Sequence, residues 1–314
     1  MSQTSDHTEA QLPHERSESP PLLRDVANGP ARFRELLAQP GPVVLPGCYD
    51  ALGARLIQQA GFDAVYMTGF GASASLLGRP DVGLLGLSEM ADQAARIVAA
   101  TDLPVIADAD TGYGNPINVI RTVQTYERLG VAGLHIEDQV LPKRCGHMEN
   151  KTVVPASEFE AKVRAAAEAR RDPNFTIIAR TDARAPHGMD DALARARAAH
   201  AAGADVLFVE ALESVDELKI VADELADIPL LFNWAEGGKT PPLTRDEIAE
   251  LGFAMIIMPI STLLVATRAM QEVLAALKRD GTPAEAVKEM PTFGEFTDLV
   301  GLPEIVELEN RFAG

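Results

Sequence analysis

The sequence predicts an α/β fold, a (β/α)8 barrel of the TIM type. Eight short apolar runs recur, at residues 43–47, 64–69, 104–110, 133–138, 176–181, 206–211, 229–234 and 254–259. They are too short for helices and mostly lack polar alternation, as strands buried on both faces should. Stretches rich in Ala, Leu, Glu and Arg lie between them, for example 161–171, 190–202 and 245–251. Several such stretches run into a glycine just before the next strand, at Gly61, Gly130, Gly203 and Gly252. That is the usual stop of a helix returning to a sheet. Eight strand–helix units in one chain imply a closed barrel rather than an open sheet.

Residues 1–25, rich in Ser, Glu, His and Pro, are expected to be a disordered segment. The barrel is expected over 26–278, ending in a helix over 262–278. A tail over 279–314 keeps apolar residues such as Phe293, Phe296, Leu299 and Leu302, more than barrel closure needs, and is expected to pack on a neighbouring subunit.

Composition narrows the function. The 314 residues carry 28 basic and 46 acidic side chains, a net charge of −18, which argues against nucleic acid as a partner. A small anionic substrate stays compatible, because a few local cations reverse the field inside a cleft. The two cysteines, Cys48 and Cys145, fit no zinc spacing and suit a reducing cytoplasm. No apolar run is long enough to cross a bilayer, and no signal peptide is evident.

In a barrel of this kind the active site lies at the C-terminal ends of the strands. Those ends carry Asp108, Asp110, Glu137, Asp138, Arg180, Asp182, Glu210, Asn233 and Glu236. Buried strands would not tolerate so many polar groups without a purpose. Two like charges 5 Å apart repel by roughly 3 kcal/mol at an effective dielectric of 20. A divalent cation at Asp108, Asp110 and Glu137 would relieve this, and oxygen ligands favour Mg2+ or Mn2+. The alternative is that these acids pair with Arg180 and Lys143.

Lys143-Arg144-Cys145-Gly146-His147 follows the fourth strand. A free thiol titrates near 8.5 and is mostly protonated at neutral pH, so Cys145 is suited to donate a proton. Cys48 reads as a buried structural cysteine, and His135, within a strand, as a hydrogen-bonded core residue. The small residues from Gly69 to Ser75 would let backbone N–H groups approach a carboxylate.

These motifs carry a resemblance over about residues 33–312. Tyr66-Met67-Thr68-Gly69, Asp108-Ala109-Asp110-Thr111-Gly112-Tyr113-Gly114, His135-Ile136-Glu137-Asp138-Gln139, the cysteine loop and Ala179-Arg180-Thr181-Asp182-Ala183 resemble the isocitrate lyase / phosphoenolpyruvate mutase superfamily. The resemblance implies a C-terminal helix swapped between subunits in a dimer of dimers, a homotetramer. It implies Mg2+ near Asp108, Asp110 and Glu137, chelated by a substrate oxyacid. The loop over 143–147 would close over that substrate. Residues implied in the chemistry are Cys145, Lys143, His147, Glu137 and Tyr66, the last as one candidate for the hydroxyl base. Those implied in holding substrate are Thr68, Gly69, Phe70, Gly71, Asp81, Arg144, Gly146, Arg180, Glu210 and Asn233.

Within the superfamily the cysteine loop points to a carbon–carbon lyase acting on a 2-hydroxy di- or tricarboxylate of the 2-methylisocitrate or 2,3-dimethylmalate type. Retro-Claisen cleavage would give a 2-oxo acid and a carboxylate. The alternatives are a carboxyphosphonoenolpyruvate or phosphoenolpyruvate mutase-type isomerase and an oxaloacetate decarboxylase. Leu264 stands near the place where methylisocitrate lyases are expected to carry an arginine, which disfavours a tricarboxylate. The segment from Asn233 to Pro241 looks instead like dimethylmalate lyase, petal death protein and carboxyphosphonoenolpyruvate mutase relatives.

Overall fold

A computed structural model describes residues 21–23, 28–146, 148 and 150–313. The expectations for residues 1–25 (apart from 21–23) and for His147 lie outside the described residues.

Helix α1 (Gly29–Leu37) precedes the first strand. Eight strand–helix units then follow: β1 (Val43–Cys48) with α2 (Ala51–Gln59); β2 (Val65–Met67) with α3 (Gly69–Leu77) and α4 (Leu87–Ala99); β3 (Val105–Asp108) with α5 (Pro116–Arg128); and β4 (Gly133–Glu137) with α6 (Ala156–Ala169). The second half comprises β5 (Thr176–Thr181) with α7 (Arg184–His187) and α8 (Met189–Ala201); β6 (Val206–Val209) with α9 (Val215–Glu224); β7 (Leu231–Asn233) with α10 (Arg245–Glu250); and β8 (Met255–Met258) with α11 (Ser261–Asp280). The tail forms α12 (Phe293–Leu299) and α13 (Leu302–Phe312).

All neighbouring strands pair in parallel, in the order β6-β5-β4-β3-β2-β1-β8-β7. A bridge between Leu207 and Leu230 joins the two edges. The eight expected strands are therefore present, in a nearly closed barrel. Gly61, Gly130, Gly203 and Gly252 have φ of 82°, 82°, 110° and 85°, the left-handed turn expected where each helix stops.

Two apolar layers hold the barrel. Leu45, Tyr66, Ile106, Ile178, Phe208, Met255 and Ile257 fill its interior together with Phe33 from α1. The α1 helix thus closes the end opposite the strand C-termini. Burying Phe33 fully contributes roughly 1.5–3 kcal/mol. The outward strand residues, such as Val65, Leu134 and Ile177, pack against the helices in the second layer.

One segment departs from expectation. The small residues after β2, expected to offer free N–H groups to a carboxylate, form α3. Thr68 is its N-cap, its hydroxyl accepting from Gly71 N–H at 3.2 Å. A capping hydroxyl satisfies an otherwise unpaired donor of the first turn, which settles the helix despite its glycines.

Candidate active site

The register places Glu137 beside Arg180 and Asp108 beside His135 at the C-terminal ends of their strands. There a cavity of about 250 Å3 opens at the barrel mouth. Tyr66, Thr68, Phe70, Asp81, Asp108, Cys145, Gly146, Arg180, Glu210, Asn233 and Glu236 all line it. Ten of these eleven stand in the expected site; Glu236 was read as a strand-end acid without a role.

Arg180 is the central cation. Its Nη1 lies 3.2 Å from Glu137 Oε2, and its Nε lies 2.9 Å from Asp182 Oδ2 and 3.6 Å from Glu210 Oε2. The guanidinium also rests over the Phe208 ring, 5.2 Å from its centre. Burial works against the charge, but Asp182, Glu137 and Glu210 outweigh it and hold Arg180 protonated. Asn233 Nδ2 donates to Glu210 Oε2 at 3.1 Å.

Lys143 is buried between two acids, its Nζ 2.6 Å from Asp81 Oδ2 and 2.7 Å from Asp110 Oδ1. It does not line the cavity. Asp110 adopts φ of 46°, a left-handed conformation that costs on the order of 1 kcal/mol outside glycine. This turn lets Asp110 N–H donate to Asp108 Oδ1 at 2.9 Å. Gly69 N–H donates to Asp108 Oδ2 at 3.1 Å. The N–H groups of Gly69 and Gly71, expected to face a substrate carboxylate, are thus taken by Asp108 and Thr68. Each supports the wall instead.

Arg144 differs from expectation. Its side chain is exposed and does not line the cavity. Only its main chain is engaged, its N–H donating to Gln139 Oε1 at 3.0 Å and its carbonyl accepting from Gln139 Nε2 at 2.8 Å. In a short loop neighbouring side chains diverge, so Cys145 and Arg144 do not share a face. Asp138 also stays out of the cavity, bound by the Thr181 hydroxyl at 2.7 Å, Asp182 N–H at 2.8 Å and Arg195 at 3.3 Å.

Six carboxylates, Asp81, Asp108, Asp110, Glu137, Asp182 and Glu210, meet three cations, Lys143, Lys151 and Arg180. Burial accordingly pushes Asp110 up to about 6 and Glu137 well above its ordinary value. For Asp108, burial is outweighed by His135, Lys143 and the Asp110 N–H, which hold it below the usual range. The acids do pair with Arg180 and Lys143, yet negative charge stays in excess. The oxygen donors and this excess fit a divalent cation. No three His, Cys, Asp or Glu side chains among the described residues form a metal cage. Asp108, Asp110 and Glu137, expected to converge on a metal, are therefore not arranged as a three-carboxylate site; Mg2+ keeps several waters and takes few protein ligands.

Burial pushes the Tyr66 phenol well above its ordinary value, which favours a hydrogen-bonding role over that of hydroxyl base. His135 is fully buried, and its Nε2 lies 2.8 Å from the Tyr66 hydroxyl, the core role expected of it. Cys48 is buried and unpaired, as expected, and Cys145 is half-buried and not in a disulfide. Lys151 and Gln139, which brace the cysteine loop, were not anticipated. Their only sequence signal is proximity to that loop.

A parallel barrel thus carries a thiol, an arginine and an acid cluster at its mouth. The family model described as phosphoenolpyruvate phosphomutase matches residues 33–278, and the chain belongs to this family, within the isocitrate lyase / phosphoenolpyruvate mutase superfamily. It is similar to 2,3-dimethylmalate lyase of Eubacterium barkeri, with 49% identity over 91% of this chain and 99% of that one. It is also similar to the chloroplastic carboxyvinyl-carboxyphosphonate phosphorylmutase of Arabidopsis thaliana, with 45% identity over 93% and 87%. A solved 2,3-dimethylmalate lyase superposes with a TM-score of 0.87 at 43% identity, covering 93% of this chain and 97% of that one. A phosphonopyruvate hydrolase solved with oxalate and Mg++ has a TM-score of 0.83 at 30% identity, covering 91% and 99%. The relatives of this chain thus include carbon–carbon lyases of the superfamily beside a phosphorylmutase.

Proposed function

We propose that this enzyme cleaves a 2-hydroxy dicarboxylate bearing alkyl substituents, of the 2,3-dimethylmalate type, with a divalent cation, Mg2+ or Mn2+. One observation carries the reading: Cys145, Arg180 and Asp108 line one cavity that also has an apolar wall. Phe70, Met148, Phe208, Ile257, Pro259 and Ile260 form that wall and suit methyl groups. Arg180 is the only Lys or Arg among the described lining residues. It would bind one carboxylate of the substrate. Leu264, at the place of an expected arginine, is 46% exposed and outside the cavity, which favours a dicarboxylate over 2-methylisocitrate.

The cation would be held by Asp108, with Asp110 and Glu137 beside it. When bound, it polarises the hydroxyl and carboxylate oxygens of the substrate. Loss of the 2-hydroxyl proton lets the C2–C3 bond break. Its electron pair passes to C3 as an enolate, and C2 becomes the carbonyl of a 2-oxo acid. The Cys145 thiol then gives its proton to C3 and regains one from the group that took the hydroxyl proton. Arg180 holds a carboxylate in place, and the Tyr66 hydroxyl donates a hydrogen bond to it or to the departing oxygen. Lys143 ties the cysteine loop to Asp81 and Asp110.

The tail supports the homotetramer. No residue of α11, α12 or α13 is buried, and Val265, Leu274, Phe293 and Phe312 are 71%, 63%, 84% and 68% exposed. Such a face calls for an apolar partner, and a second copy of the chain supplies one through helix exchange. Neither cysteine is in a disulfide, which suits the reducing cytoplasm. No described helix is long and apolar enough to cross a membrane.

The deciding experiment offers alkylmalates and methylisocitrate with Mg2+ or Mn2+ and measures 2-oxo acid release, with a chelator as the control. Release from 2,3-dimethylmalate that stops on chelation is expected. The second reading is a mutase, favoured by the phosphorylmutase relative at 45% identity. Phosphorus NMR with a phosphonate substrate separates the two, since only a mutase rearranges a P–C bond. Pyruvate from oxaloacetate would reveal a decarboxylase.

A further inference from the structure

We propose that Lys151 is a positioning residue for Cys145, acting through the main chain at Gly146. Lys151 is 6% exposed, and its Nζ donates to the Gly146 carbonyl and to Asp182 Oδ1, the latter at 2.7 Å. Asp182 also accepts from Arg180, Nε to Oδ2 at 2.9 Å and Nη2 to Oδ1 at 3.0 Å. One carboxylate therefore anchors both the cation that faces the substrate and the cation that holds the cysteine loop.

Gly146 has no room to move inward. A Cβ there would sit 2.6 Å from Glu210 Cγ and against the Arg180 guanidinium. Gly146, the residue after Cys145, thus rests on the Arg180–Glu210 pair, and its carbonyl is held by the Lys151 ammonium. On the other side of Cys145, Gln139 holds both the N–H and the carbonyl of Arg144. A buried ammonium is tolerated only with a counter-charge and satisfied protons. Lys151 has the Asp182 carboxylate as its counter-charge and the Gly146 carbonyl as a second acceptor.

The proposal rests on Cys145 as the proton donor. Proton transfer needs donor and carbon near contact, and a displacement of about 1 Å costs on the order of 100-fold. Loss of Lys151 should therefore lower kcat on that order and leave KM nearly unchanged.

The test uses iodoacetamide on the native full-length protein at fixed pH. Cys48 is fully buried, so mass spectrometry of the Cys145 peptide follows one thiol. Removing a cation would by itself raise the thiol pKa and slow alkylation. Faster alkylation therefore reports a displaced loop. Lys151→Met is expected to label about tenfold faster or more, the loss of a charged hydrogen bond. Lys151→Arg should restore labelling toward the wild-type rate. Wild-type labelling in Lys151→Met overturns the proposal. Should that variant lose its cooperative melt, Lys151→Gln replaces it under the same criterion. A wild-type protein that releases no 2-oxo acid would refute the lyase reading and leave the labelling comparison intact.

Discussion

The Tyr66 hydroxyl lies 2.8 Å from His135 Nε2 inside the barrel, where both side chains are almost wholly buried. His135 Nε2 also lies 3.5 Å from Asp108 Oδ1, whereas Nδ1 has no partner among the described residues. A neutral imidazole with its proton on Nε2 satisfies this arrangement best. It donates to the tyrosine oxygen and leaves the phenol proton for an acceptor in the cavity. Tyr66→Phe should lower kcat/KM by about 10- to 100-fold, the loss of a hydrogen bond to a charged group, with a stability change near 1 kcal/mol. Steady-state kinetics with a urea melt checks both, and unchanged turnover would remove Tyr66 from the reaction.

Burial pushes His135 down from 6.5 to about 4. Between those values the unfolded chain binds a proton that the folded chain refuses, so stability falls as pH drops through this window. The contribution is on the order of 3 kcal/mol. Asp110 and Asp138, both raised to about 6 by burial, act in the opposite sense, since they bind protons more readily when folded. Comparison with His135→Gln removes those shared contributions. Urea melts at pH 4 and pH 7.5 should show the wild type losing more stability on acidification than the variant. Parallel pH profiles would contradict a neutral His135.

Cys145 reaches the cavity that holds Arg180 and Asp108. Cys145→Ala should reduce turnover by at least about 100-fold while oxalate still binds in the presence of Mg2+, because the residue acts on the transition state rather than on affinity. Calorimetry and turnover together test this, and wild-type turnover would exclude the thiol as the acid.

Gly146 touches Arg180 and Glu210 so closely that a methyl group has no space. Gly146→Ala should leave the fold in place, at a cost of about 1–3 kcal/mol, and displace the loop from its seat. Activity should fall by about 100-fold or more. A variant that melts normally and turns over normally would show that the seat is not needed.

The exposed tail predicts assembly. Phe293→Ser combined with Val265→Asp should shift sedimentation from four chains toward smaller species, because both side chains, 84% and 71% exposed, lie on the uncovered face. Sedimentation unchanged by both substitutions would place the interface elsewhere.

Much of the fold was legible because each strand announces itself. The runs at 133–138 and 176–181 match β4 and β5 to within a residue, since strands buried on both faces admit few polar residues. The acids and Arg180 at their ends were legible for the complementary reason, that buried charge is costly and so conspicuous. That the N–H groups of Gly69 and Gly71 are taken by Asp108 and Thr68 was not legible, because those partners are fixed by the fold and not by residue type. Lys151 escaped notice because its spacing from Cys145 carries no periodicity, and Arg144 drew attention as a cation although its side chain faces outward.

From its sequence alone, this chain determined a parallel barrel, a mouth rich in acids and a thiol in the loop after the fourth strand. Hydrophobic pattern and residue type are local properties, written where they act. Tertiary structure alone decided that Asp182 serves both Arg180 and Lys151, that Lys143 is consumed by Asp81 and Asp110, and that one cavity wall is apolar. Those pairings join residues up to 62 positions apart. They follow from strand register and loop geometry, which spacing along the chain does not encode.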